Sequence, residues 1–168
     1  MGKGQLFSGE FLLAYVIFAV VLTMVLLLWT NTTGNINAAE EMYDMERLAV
    51  DVSEKLMKTP GFPEDWTTAD VMSVGLVNDS GDMDPEKVMG FVALMGNETN
   101  YEDNKHLLGI RLYEFYFYLE NLSGSVVSVN GTPCVTGKSP VNETGRFTMK
   151  RAGVFNNTVV RSVLTVWR

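Results

Sequence analysis

Few side chains in this sequence could carry covalent or acid–base chemistry. Cys134 is the one Cys and His106 the one His. A reactive thiol needs an adjacent base or cation, and no neighbour in sequence supplies one to Cys134. His106 has no assignable partner either, so a nucleophilic pair or a hydrolase triad is not expected. A single Cys also excludes an internal disulfide framework and a Cys-based zinc site. Asn78 to Glu86 places oxygen ligands at alternating positions, as calcium loops do. It lacks the glycine at loop position six (Met83) and the glutamate at twelve (Met89). A solvated acidic loop leading into a helix cap is the better reading. No glycine-rich phosphate loop of either standard spacing occurs. The chain is expected not to be an enzyme and to use no metal or cofactor.

A second chemistry is better provided for. Asn-x-Ser/Thr occurs at Asn31, Asn78, Asn97, Asn121, Asn130, Asn142 and Asn156, seven of twelve asparagines. The frequency of Ser and Thr predicts roughly 1.6 such motifs by chance, taking the acceptor motif at face value. Turns enrich the same residue types, but not fourfold along the whole chain. These positions are read as N-glycosylation acceptors on an extracellular body.

Charge narrows the partners. The formal net charge of −7 opposes general nucleic-acid binding, which usually needs a basic face. Its distribution is uneven. Residues 37–120 carry 18 acidic and 6 basic side chains, and residues 121–168 carry 1 acidic and 6 basic. The two signs either meet inside one folded head or set register against a neighbouring subunit.

The elements that hold these residues begin with an apolar run. Phe11 to Trp29 is nineteen residues without a charge, and as a helix it would span roughly 28 Å, close to the ~30 Å hydrocarbon core of a bilayer. A core helix of so small a protein would have nothing to cover it all round. Lys3 precedes the run, whereas Glu40, Glu41, Asp44 and Glu46 follow it before Arg47. The positive-inside rule then sets the amino terminus in the cytoplasm and the body outside. A secretory signal has a shorter apolar core and a small-x-small cleavage site, which LLLWTNTT is not.

Ahead of the run stands Lys3-Gly4-Gln5-Leu6-Phe7-Ser8-Gly9-Glu10. This resembles the class III, prepilin-type signal of archaeal type IV pilin-like proteins. The resemblance implies cleavage by a prepilin peptidase between Gly4 and Gln5. It also implies that Glu10 is the carboxylate at the mouth of the helix, one residue later than the commonest spacing. A carboxylate there is costly without a partner, and in a filament the new terminal ammonium of a neighbouring subunit would be that partner. Residues 59–92, with TPGFPEDW, then VGL, then MDPEKVMGF, resemble a second block of the same family.

The remaining pattern predicts a head. Thr30 to Asn35 has weak helix propensity and reads as a hinge or a locally melted turn. Met42, Met45, Leu48, Ala49, Val52 and Leu56 restore a helical stripe, with Glu41, Asp44, Arg47, Asp51, Glu54 and Lys55 facing away. Two prolines and a glycine end it. Val71 to Val77 reads as extended. Asp84-Pro85 opens a helix with Val88, Phe91, Val92 and Met95 as its stripe. Residues 113–120 alternate with a period of two, Asn130-Gly131 reads as a turn, and Asn156-Asn157 joins strands 146–155 and 158–167.

The expected fold is α+β: a long N-terminal, transmembrane-type helix packed into a β-rich antiparallel-sheet head, as in type IV pilins. The expected organisation is a leader at 1–4, an apolar helix at 5–30, an amphipathic helix at 31–58 and a head at 59–168. The expected function is a major or minor subunit of an archaeal pilus-like filament, assembling with itself or with other pilin-like subunits. The alternative is a single-pass membrane protein whose head binds an envelope or pilus component without polymerising. The discriminating observation is leader cleavage.

Overall fold

The computed structural model describes residues 9–140 and 145–168. The chain divides into two units, Met1–Glu41 and Met42–Arg168, and α1 (Gly9–Lys58) contributes to both. The α+β class is as expected. The local break expected at Thr30–Asn35 is not there, because α1 runs through it without interruption. Low propensity costs up to about 1 kcal/mol per residue, but extending a helix already nucleated on one side gains a hydrogen bond for every residue fixed.

In the second unit the organising element is a four-stranded antiparallel sheet in the order β6-β3-β8-β7. Its strands are β3 (Glu114–Asn121), β6 (Val135–Gly137), β7 (Arg146–Phe155) and β8 (Thr158–Trp167). The long β7–β8 pair begins at Phe155↔Thr158, so its loop is Asn156-Asn157. Both residues take left-handed backbone, at φ 49° and 60°, as a two-residue hairpin of matching twist requires. Asn130-Gly131 makes the same kind of turn between β4 (Ser128–Val129) and β5 (Thr132–Pro133). A two-residue pair, β1 (Gly61–Phe62) with β2 (Ser73–Val74), is all that forms a ladder within the extended 71–77 segment.

One face of the sheet carries Phe115, Phe117 and Leu119 with Leu164 and Val166, all buried. Helix α2 (Pro85–Met95) packs here, its Phe91 ring 6.3 Å from Phe115 and edge-on to Phe117 at 5.3 Å. Asp84 caps α2 as expected, accepting from the Glu86 and Lys87 amides. Its buried stripe is Val88, Phe91, Leu94 and Met95. Leu94 replaces the expected Val92, which is half-buried and whose carbonyl accepts from Thr136 on β6.

The head-side part of α1 buries Met45, Ala49, Val52, Ser53 and Leu56. Met42, read as part of that stripe, is exposed. Glu54 and Lys55 do not simply face solvent. Lys55 donates to the Leu107 carbonyl at 2.8 Å, and Arg151 on β7 reaches both Ser53 Oγ at 2.6 Å and Glu54 at 3.3 Å. These cross-links fix how the helix lies on the strand.

Candidate functional site

The first unit holds the feature with the clearest functional meaning. From Phe11 to Trp29 the large side chains of α1 are almost all more than half exposed, Trp29 by 73%. No part of the most apolar 18-residue window is buried inside the chain, and the helix is long and apolar enough to cross a membrane. Its hydroxyls suit an apolar surrounding. Thr23 donates to the Ala19 carbonyl and Thr30 to the Leu26 carbonyl, each at 2.7 Å, so neither needs water. Tyr15, Val16, Ala19, Val20, Thr23, Met24 and Leu27 share one face, where Ala19 leaves a shallow groove. Exposed apolar surface of this extent demands a lipid or protein covering.

Glu10 lies in the first described turn of α1. Gly4 and Gln5, the expected cleavage pair, lie outside the described residues, as does Asn142.

The other sequon asparagines fall in two settings. Asn31 is inside α1. The remaining five sit at turns or strand ends of the head. Asn78 Oδ1 accepts from the Ser80 and Asp82 amides, Asn97 Oδ1 from Thr99, and Asn121 Oδ1 from Ser123 and Ser125, all at 2.9–3.1 Å. In each motif the side-chain oxygen is tied to the amide of its own Ser or Thr, leaving the side-chain nitrogen outside that bond. Asn130 and Asn156 are exposed at left-handed turn positions.

Sequence reasoning missed the cluster around Tyr101. Residues 101–108 form α3 (Tyr101–Asn104) and a 3-10 turn, Lys105–Leu108. Lys105, almost fully buried, pairs with Glu102 at 2.6 Å and Glu114 at 3.4 Å. Lys138 pairs with the same two carboxylates at 2.9 and 3.2 Å and stands 4.6 Å from the Tyr101 ring centre. Hydrogen bonds from both lysines pull the Glu102 carboxyl down to about 2. Burial and the neighbouring Glu114 carboxylate push the Tyr101 hydroxyl above its ordinary range. The i,i+3 spacing of Glu102 and Lys105 was the one signal available in the sequence.

Part of the charge partition is met within the second unit. Among the described residues, Lys138 pairs as above, Lys150 and Arg161 pair with Glu120, and Arg151 pairs with Glu54 on α1. A solvent-open cleft is lined by Glu64, Asp65, Thr67, Asn78, Asp79 and Glu86. Among the described residues no three His, Cys, Asp or Glu side chains converge to hold a metal. Cys134 is fully buried, and burial raises its thiol pKa. His106 is exposed on the 3-10 turn.

No family model, no curated protein and no solved structure matches the chain.

Proposed function

We propose that the chain is a structural subunit, major or minor, of an archaeal type IV pilus-like filament on the cell surface. Before assembly its helix holds it in the membrane, with the amino terminus in the cytoplasm and the head outside. After cleavage by a prepilin peptidase, copies of that helix, or of related subunits, cover one another in the filament core. The observation that carries this reading is the apolar length of α1 that the chain leaves wholly uncovered, on a helix whose other end is built into a β-rich head. The leader motif and the sequons support the same topology, and the head sequons are glycan acceptors in this reading. The role is structural rather than catalytic.

Intact-mass measurement of native protein from sheared filaments tests it. The expected amino terminus is Gln5. A terminus at Met1 or Gly2 on surface material would overturn the pilin reading. Protein found in membranes alone, with no filament, would favour a single-pass anchor whose head binds an envelope component.

A further inference from the structure

The sequon at Asn31 is placed unlike the other five that the structure describes. Those five lie where the chain reverses or leaves a strand. Asn31 lies within α1, two residues past Trp29, with its side chain exposed. Two residues of helix rise only about 3 Å. The polar layer on each side of a ~30 Å hydrocarbon core is itself roughly 5–7 Å deep. In a membrane-held chain Asn31 therefore sits within the headgroup layer, outside the hydrocarbon.

In a bundle of such helices the same position is crowded. Packed helices lie about 8–10 Å apart between axes, which leaves room for side chains and not for an oligosaccharide. The apolar rod that ends at Trp29, two residues before Asn31, is exposed all round, so a bundle that covers it closes in on the helix from every side just ahead of Asn31. The helix is unbroken here, so no loop can swing the residue aside.

We propose that a substituent on Asn31 bars the chain from polymerising, so that filaments are built from copies bare at this position and glycosylation there holds a chain in the membrane pool. The inference rests on the assembly reading above. The modification replaces one hydrogen of Asn31 Nδ2 with a bond to C1 of a sugar. The sugar comes from a glycosyl-phosphate donor, whose C1–O bond breaks. The phosphate leaves with the electron pair, and the proton passes to solvent.

A thiol-reactive polymer of glycan size is a direct surrogate. Cys134 is fully buried, so a cysteine introduced by Asn31→Cys or, as control, Asn97→Cys is the accessible thiol. Cells carrying the full chain are pulsed with a membrane-impermeant maleimide–polyethylene glycol, chased through assembly, and sheared. The Asn97 adduct is expected in filaments at its share of the surface pool, and the Asn31 adduct at least tenfold depleted there. Entry of both adducts in equal proportion would overturn the proposal. So would equal depletion of both, or a failure of Asn31→Cys to label at all. Glycopeptide mapping of unmutated filaments gives a second readout: Asn31 is expected bare, and a glycan on it in sheared filaments is incompatible with the proposal. If wild type makes no filaments, the assembly reading itself has failed, which the control strain reveals before any adduct is counted.

Discussion

Glu102 stands between two ammonium groups, Lys105 at 2.6 Å and Lys138 at 2.9 Å. Its carboxyl is held near 2 against an ordinary value of 4.5. A lowered folded value means the contribution is present above the unfolded value and is lost as pH falls toward 2. Lys138 is shifted the other way, raised chiefly by its bond to Glu102, so its share is intact at neutral pH and fades only in strong alkali. Glu102→Gln is therefore expected to lower the melting temperature of the detergent-held chain at pH 7. The gap from wild type should narrow steadily between pH 4.5 and 2, and a gap that stays constant would remove the electrostatic explanation. Glu10 has a different test. If α1 only anchors, Glu10→Gln is neutral or favourable, since it removes a charge beside hydrocarbon. If subunits pair Glu10 with a neighbour's terminal ammonium, the change strands that cation, at about 3–5 kcal/mol for a buried pair. Insertion and processing should then be normal while sheared filament yield collapses; an unchanged yield would exclude the pairing.

At the level of elements, Gly34 offers a clean perturbation. A methyl group there would meet nothing within 4 Å, and Ala favours the helix over Gly by about 1 kcal/mol. Gly34→Ala should raise amide exchange protection across residues 30–38 and leave the head unchanged. How far such elements were readable follows from what decided them. The β7–β8 hairpin and the start of α2 were legible because Asn156-Asn157 and Asp84-Pro85 carry their own backbone chemistry. The continuity of α1 through Thr30–Asn35 was not, since propensity there is local while propagation draws on both flanks. Helix α3 and its 3-10 turn were invisible for another reason. Glu102, Asp103, Asn104, Lys105 and His106 form a polar run without apolar period, and Lys105 is buried only because Glu114 and Glu102, brought together by the fold, receive it. The uncovered apolar helix was legible in full, because nineteen uncharged residues leave no alternative face.

For the whole molecule, the division after Glu41 implies that the head carries its own stability. Among the described residues its core is drawn from Met45 onward and includes no side chain of the apolar run. A chain beginning at Met42 should melt in one cooperative transition and remain monomeric on size-exclusion chromatography. Aggregation or a missing transition would mean that the first unit supports the fold. The basic residues paired within the head should leave that monomeric state indifferent to salt. Helix α1 then has a mechanical consequence. Any pull transmitted between the apolar segment and the head must travel along one helix, and its weakest stretch is Thr30–Asn35, where Asn, Thr and Gly replace strong helix formers. Under tension those turns should give way first, each residue lengthening from about 1.5 Å to roughly 3.4 Å. Six residues would release about 11 Å of slack per subunit while the head stays folded, so a polymer of such chains would stretch before it breaks.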